Sequence, residues 1–523
     1  MSPAEILSDL EARLGTLGGG SRDSPARHRT VRATVEWSYD LLDPVEQQAF
    51  RRLAVFVGGF DVDAALAVAP GLTVEGFARL VDKSVVVARV TPRGSTRYRL
   101  LETVREYAAE LLEAGGELDE VRERHLRHFL SVAGSTEVGW PPFVTDTFLA
   151  ERRDDYENVR AAIEWAAESD PCAGLAMFAA TRDLFQMLGQ ADGRRIADTL
   201  LARCPNRDKA RVAVLITAGI LAMASANADA ARRLQREARE VAASLHDLEL
   251  EGYASLYHGL TQALNMEIEA ARADLRAARD LLRRARIQSG EAMAVAGLGL
   301  ASLLAGERDT ARELLEQAVA MQQEAGYRWG EGHASLYLGV TLDAVDPQAA
   351  GRHYRHAVEC FLPYRDTTLL PYALIGQAGL LARRDPATAL RITAAAWAAR
   401  VRVGGDIPPL FRKLLLERVK NACETALGDD AERIWAEGMR LDLDDSVALA
   451  SGSRRPRPSA SSGLTARELD VVRLLAAGST NKAIAARLHL SVRTVESHVR
   501  HALAKTRLDN RTQLSAWAHE HIR

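Results

Sequence analysis

An alanine pair seven residues apart recurs at Ala231/Ala238, Ala271/Ala278, Ala311/Ala318, Ala350/Ala357 and Ala389/Ala396, with successive offsets of 40, 40, 39 and 39 residues. Seven residues are about two turns of an α-helix, so both members of a pair fall on one face, where small side chains let a neighbouring helix come close. A second apolar helical stretch precedes the pairs, as in Ala292–Leu304 ahead of Gly306-Glu307-Arg308-Asp309 and His333–Leu342 ahead of Asp346-Pro347. Two helices per period of about forty residues is the pattern of an α-solenoid, whose units bury their apolar faces only by stacking. The chain is therefore expected to be mainly α.

The period is slightly longer than a strict tetratricopeptide unit, so the expectation is a tetratricopeptide-like α-solenoid over residues 116–450. Solenoids offer a concave surface, which suits a protein or small-molecule effector. With 523 residues there is room for about three or four domains, so the repeats need not be the whole protein.

Ahead of the repeats the texture changes. Thr30–Leu42 reads as an apolar-periodic helix ending at Asp43-Pro44, and Pro44 begins Val45–Ala54. Asp61 is placed to cap Val62–Val68, and Val74–Val81 follows as a further helix. The runs Val85–Val90 and Thr96–Leu100 flank a Pro-Arg-Gly-Ser turn and read as a β-hairpin. A helix from about Glu102, with Val104, Tyr107, Ala108 and Leu111 on one face, closes the module. Helices followed by a hairpin predict a winged-helix module over 27–115.

At the other end, Ser451–Gly463 holds no apolar residue larger than alanine and three arginines. It cannot bury enough surface to offset its ordering entropy and reads as a flexible linker. The segment after it, 464–523, predicts short capped helices. Thr465 and Glu468 make a capping-box pair, Gly478 supplies a stop, and Thr480 and Ser491 are N-cap residues. Helices Asn481–Leu488 and Val492–Lys505 are separated only by His489-Leu490-Ser491, the spacing of a helix-turn-helix. In the second of them Val492, Val495, Val499 and Leu503 form the inward stripe.

The opposite face is polar. Candidate DNA-contacting residues are Thr480, Asn481, Lys482, Ser491, Arg493, Thr494, Glu496, Ser497, Arg500, His501 and Lys505. Arginine and lysine can grip phosphates or guanine edges, whereas Glu496 can only accept and suits a cytosine amino group. Charge supports the assignment. From Ser451 onward thirteen Lys and Arg stand against five Asp and Glu, a balance of +8 in a chain whose total is −3, which leaves −11 on the body. A basic tail on an acidic body is the electrostatic footprint of nucleic-acid binding at one end, and the body should repel DNA. A dimer on double-stranded DNA is expected, because one small module gains little specificity without a second half-site.

The tail also resembles a known family, the C-terminal DNA-binding domain of LuxR-type transcriptional regulators. The resemblance is carried by Leu464-Thr465-x-Arg467-Glu468, Asn481-Lys482-x-Ile484-Ala485, Ser491-x-x-Thr494-Val495-x-Ser497-His498-Val499 and Arg511-Thr512-Gln513. It implies a four-helix fold whose third helix reads DNA and whose fourth often dimerises. The chain departs from the family pattern at Ala483, where glutamate is usual, at Glu496, where lysine is frequent, and at Lys505-Thr506-Arg507, where Lys-Leu-Gly is usual.

The front resembles the winged-helix segment that follows the nucleotide-binding domain in large signal-transducing ATPase regulators. Arg27–Leu42, Phe56-Val57-Gly58-Gly59-Phe60, Leu80–Ser84 and Tyr98–Tyr107 carry that likeness, with Asn158–Ala162 and Ile434-Trp435-Ala436-Glu437-Gly438 further on. The ATPase of such regulators needs Gly-x-x-x-x-Gly-Lys-Ser/Thr to cradle phosphates, and the sequence holds no Gly-Lys dipeptide. Residues 1–26 look like the tail of such a domain or a loop.

Neither a catalytic constellation nor a cofactor site is recognisable, and an enzyme is not expected. Histidine pairs His125/His128 and His353/His356 lie one turn apart without further identifiable metal ligands. Cys172, Cys204, Cys360 and Cys423 are widely spaced and are expected to be buried small residues outside any disulfide, in a reducing cytoplasm. No membrane span is evident. The function expected is sequence-specific transcription regulation, with the repeats sensing a partner or effector. An interaction scaffold, or part of a longer ATP-dependent regulator, are the other readings the sequence leaves open.

Overall fold

The computed structural model describes residues 26–91, 95–133, 153–408, 411–452, 466–476 and 481–488, together with 495, 498, 499, 502, 503, 514 and 518. The chain divides into two compact units, 1–330 and 331–523. The described residues are helical almost throughout.

The first unit opens with α1 (Ala26–Asp40), α2 (Pro44–Arg52), α3 (Val62–Val68), α4 (Val74–Asp82), β1 (Val87–Val90), β2 (Thr96–Arg99) and α5 (Glu102–Ala114). Each short helix starts at a side-chain cap: Asp43 for α2, Asp61 for α3 and Thr73 for α4. The strands pair antiparallel with Val87 opposite Arg99, and Phe60 and Tyr98 exchange backbone hydrogen bonds of 2.8 and 2.7 Å along the hairpin's free edge. Phe56 and Phe60 stack at 4.3 Å in a core shared with Phe50, Leu53, Phe77 and Leu80. This is the predicted winged-helix arrangement, with Pro92, Arg93 and Gly94 of the hairpin turn outside the described residues.

Glu46 ties this module together. Its carboxylate is 1% exposed and accepts from Lys83 Nζ at 2.5 Å, Arg79 Nε at 2.8 Å and the Asp43 backbone N–H at 3.0 Å. Burial alone would push its pKa up; Lys83 and Arg79 outweigh burial and hold it at about 2, against an ordinary value of 4.5. The contribution is therefore present above about pH 4.5 and lost as the pH falls through about 2. Glu46→Gln is expected to cost about 1–3 kcal/mol at neutral pH, discounted because both cations are partly solvated, and to flatten the acid limb of the stability curve. Urea melts of wild type and variant at pH 7 and pH 3 check it: equal losses at both would show that the charge is not the cause.

Helices α6 (Leu118–Val132) and α7 (Tyr156–Ser169) join the module to the repeats. Asn158 of α7 is fully buried, accepts from the N–H groups of Val57 at 3.0 Å and Gly58 at 3.3 Å, and donates to the Gly59 carbonyl at 2.9 Å. Two segments a hundred residues apart that carry the ATPase-regulator likeness thus meet in one hydrogen-bonded clamp. His125 lies buried against Phe56 and Phe129 at 5.3 and 4.8 Å, and burial pushes its pKa down to about 3, so it is a neutral core residue.

The repeats follow as α8 (Pro171–Leu188), α9 (Gln190–Arg203), α10 (Lys209–Ala224), α11 (Ala228–Leu245), α12 (Leu248–Leu264), α13 (Ile268–Arg284), α14 (Gln288–Leu304), α15 (Arg308–Glu324) and α16 (Arg328–Leu342). The second unit takes in α16 from Glu331 onward and continues with α17 (Pro347–Phe361), α18 (Leu370–Leu381), α19 (Pro386–Arg402), α20 (Arg418–Leu427), α21 (Asp430–Met439) and α22 (Leu443–Ala450). All ten alanines of the repeat pairs are 0% exposed. The preceding helices carry a matching mark that the alanine pattern overlooked: Gly219, Gly259, Gly299, Gly339 and Gly379, forty residues apart. A Cβ on Gly259 would meet Leu275 at 2.8 Å, one on Gly299 would meet Leu315 at 2.7 Å, and one on Gly339 would meet Tyr354 at 2.7 Å. Glycine on one helix receives a large side chain from the next.

The turns repeat at half that period. Ala226, His246, Met266, Arg286, Gly306 and Gly326 all adopt positive φ, at intervals of twenty residues. At Met266 the N–H donates to Ala263 O at 2.9 Å and the next N–H to Gln262 O at 2.9 Å, the paired bonds of a Schellman C-cap. Met266 has φ of 63° and a largely exposed side chain, so its Cβ strain is offset by no packing. Met266→Gly is expected to stabilise the chain by about 0.5–1 kcal/mol, the left-handed strain relieved less the entropy glycine adds to the unfolded chain. Thermal unfolding checks the direction, and a lower melting temperature would contradict it.

The cysteines require a correction. Cys172 and Cys204 form a disulfide, with Cα atoms 5.0 Å apart, while Cys360 and Cys423 are buried thiols outside it. Sequence distance misled because α8 and α9 form a hairpin. Cys172 at the start of α8 and Cys204 just past the end of α9 are thereby brought side by side. Among the described residues no helix is long and apolar enough to cross a membrane.

Candidate nucleic-acid interface

The basic tail begins with α23 (Ala466–Ala476) and α24 (Asn481–Leu488), the latter with the bounds expected from its sequence. Val471, Val472 and Leu475 of α23 meet Ile484 and Ala485 of α24 in an apolar core completed by Val495, Ala502, Leu514 and Ala518. Val499 and Leu503 pack on that core, half-buried. Residues 495, 498, 499, 502 and 503 are helical, so Val495, Val499 and Leu503 make the inward stripe expected of the second helix of the pair. Val492 lies outside the described residues, as does Thr465, the expected capping partner of the buried Glu468.

Of the candidate DNA-contacting residues, Asn481 is the first residue of α24 and half-exposed, and Lys482 follows it on the same helix. The Lys482 side chain and residues Thr480, Ser491, Arg493, Thr494, Glu496, Ser497, Arg500, His501 and Lys505 lie outside the described residues. What the structure supplies is the packing that decides which stripe of the module is unavailable to DNA.

Residues 462–518 match the luxR family of bacterial regulatory proteins, and residues 42–113 match the winged helix-turn-helix domain. The chain carries a luxR-family regulatory domain. It is similar to a protein of Mycobacterium tuberculosis described as an HTH-type transcriptional regulator, at 28% identity over 98% of this chain and 77% of that one. The nitrate/nitrite response regulator NarL of Escherichia coli is 44% identical over 57 residues, 11% of this chain and 26% of that one. Among solved structures, a signal transduction ATPase with numerous domains and a tetratricopeptide repeat sensor from Pyrococcus horikoshii aligns at a TM-score of 0.39 and 14% identity, covering 83% of this chain and 72% of that one. The luxR-family domain makes the chain a DNA-binding transcription regulator.

Arg79 and Lys83, at the end of α4, are both engaged by Glu46, so much of their charge is compensated within the winged-helix module. The acidic balance of the body agrees with that.

One feature of the second unit has no sequence signature. A cavity of about 960 Å³ opens between α17, α18, α19 and α22, at the upper end of the size range of small-molecule sites. Val358, Leu362, Leu381, Val447 and Leu449 give it apolar walls, and Arg355, Glu359, Asp385 and Arg391 place charges at it. Arg391 is paired with Glu437 at 2.9 Å, and hydrogen bonds to the Thr388 backbone and side chain lower the Asp385 pKa. The lining residues come from helices up to about ninety residues apart, so no local motif could reveal it.

Proposed function

We propose that the luxR-family domain reads a two-fold DNA site as a dimer through Thr480, Asn481, Lys482, Ser491, Arg493, Thr494, Glu496, Ser497, Arg500, His501 and Lys505, and that the helical body controls its availability. The inward stripe at Val495, Val499 and Leu503 supports this assignment, because it leaves the polar positions of the same sequence for DNA.

The observation that carries the control reading is the far wall of the cavity. Val447, Leu449, Ala450, Ser451 and Gly452 line it, the last two being the first residues of the linker sequence. Gln377 donates to Ala450 O at 3.0 Å and Arg365 pairs with Asp444, so the wall is held to the repeats up to the residue before the linker. A ligand of drug-like size, mainly apolar with an ionised group for Arg355 or Arg391, would press on the segment that tethers the reader. Signal-dependent regulation then needs no second DNA-binding surface.

The test is Leu449→Trp in the full chain, which fills the cavity from the linker side. Output from a promoter this chain binds is expected to shift several-fold and to stop responding to growth conditions, with the far-ultraviolet spectrum and melting temperature retained. Unchanged output and an unchanged response would remove the cavity from the account.

A further inference from the structure

The cluster that the function above does not use is Glu331, His356 and Cys360. Glu331 lies in the first turn of α16, and His356 and Cys360 are four residues apart on α17, hence on one face. His356 Nε2 is 2.6 Å from Glu331 Oε1 and 3.6 Å from Cys360 Sγ, and the three ligand atoms lie within 4.8 Å of one another. Of the two histidine pairs noted in the sequence, His353/His356 contributes one member, His356, and the fold sets a thiol and a carboxylate beside it.

We propose that Glu331, His356 and Cys360 form a binding site for a thiophilic divalent transition metal, of which zinc(II) is the best match. A tetrahedral zinc with bonds of about 2.3 Å to sulfur and 2.0–2.1 Å to nitrogen separates those two atoms by about 3.5 Å. The His356–Cys360 separation of 3.6 Å already has that value. The Glu331 oxygen sits closer to the imidazole than a shared metal would leave it, as a hydrogen bond requires, and must swing out by roughly 0.7 Å. Thiolate, imidazole and carboxylate together select zinc over the oxygen-seeking magnesium or calcium.

The scaffold holds the ligands on two rigid helices. Gly332, next to Glu331, lets α17 approach: a Cβ there would stand 2.6 Å from the Cys360 Cβ. Cys360 is fully buried and Glu331 partly so, while the His356 side chain is 38% exposed, which leaves a fourth position to water from the solvent side. Glu359 Oε2, 4.0 Å from His356 Nδ1, can orient the ring from behind. Binding displaces the Cys360 thiol proton and the proton between His356 and Glu331, and joins α16 to α17 within the second unit.

The test uses the full chain stripped with a chelator and titrated with cobalt(II), then with zinc(II) in competition. One equivalent of cobalt is expected to give a thiolate-to-cobalt charge-transfer band with tetrahedral visible absorption, displaced by zinc. Cys360→Ser is expected to abolish the charge-transfer band, His356→Gln to weaken binding at least tenfold, and Cys423→Ser to leave both unchanged. His356 is half-exposed, so its variant keeps the test decisive if the buried cysteine variant fails to fold. Absence of a one-equivalent band in wild type, or the same band and affinity in the His356 and Cys360 variants, overturns the assignment.

Discussion

Arg493→Ala combined with Arg500→Ala is expected to lower the affinity of the full chain for its operator by about 100- to 1,000-fold, because each arginine–base or arginine–phosphate contact is worth about 1–3 kcal/mol. The two losses should differ in kind. If Arg493 reads a base edge near the start of the recognition helix, its removal relaxes preference at one position of the site. Arg500, a turn or two further on, is placed for phosphate, and its loss should weaken all sequences alike and reduce the salt slope by about one. The domain should still fold, since its core among the described residues is built from the apolar Val471, Val472, Leu475, Ile484, Ala485 and Val495. Fluorescence anisotropy with selected and scrambled duplexes at several salt concentrations separates the two effects. Unaltered affinity in the double variant would show that another face of the module meets DNA.

The second large effect concerns stability. Gly438 of α21 lies against α19 so closely that a Cβ would meet the Arg391 carbonyl oxygen at 2.6 Å, the Ala394 Cβ at 2.7 Å and the Arg391 Cα at 2.9 Å. Two of these are backbone atoms, which cannot rotate away as a side-chain tip would. Gly438→Val must therefore lift α21 from α19. The lift also strains the Arg391–Glu437 ion pair and the Ser446 Oγ contact to the Ile392 carbonyl at 3.5 Å. Overpacking of this kind costs about 1–3 kcal/mol, and a backbone clash puts the expected loss at the upper end. Chemical denaturation reads it directly. Because Arg391 also lines the cavity, any ligand that stabilises the wild type should stabilise this variant less.

Gly438 also shows what kind of information a single sequence carries. The run Ile434–Gly438 was recognisable only as a family likeness; the physical reason for its glycine, a helix crossing too tight for any side chain, needs the partner helix. The repeats were legible because alanine pairs mark buried contacts at a constant period, and all ten positions are indeed buried. The glycine series 219, 259, 299, 339 and 379 carries the same period and was legible in principle, as was the twenty-residue spacing of the turns. In the winged helix the helix starts at Pro44 and after Asp61 were legible because such signals are local, whereas the side-chain caps of Asp43 and Thr73 are seen in the structure.

What escaped was non-local. The Cys172–Cys204 bond depends on a helical hairpin returning its chain ends to one place. The cavity draws its walls from four helices, and the Glu331–His356–Cys360 cluster joins one residue to a pair twenty-five and twenty-nine positions away. No periodicity links such residues. Only packing does.

DNA binding through the C-terminal luxR-family domain is tested by selection of genomic DNA fragments with the purified full chain, followed by affinity measurement on the enriched site from about 50 to 200 mM salt. An enriched motif with two half-sites is expected, with log K falling linearly with log salt and both lost on deletion of residues 464–523. No enrichment by the full chain, or enrichment that survives the deletion, would contradict it.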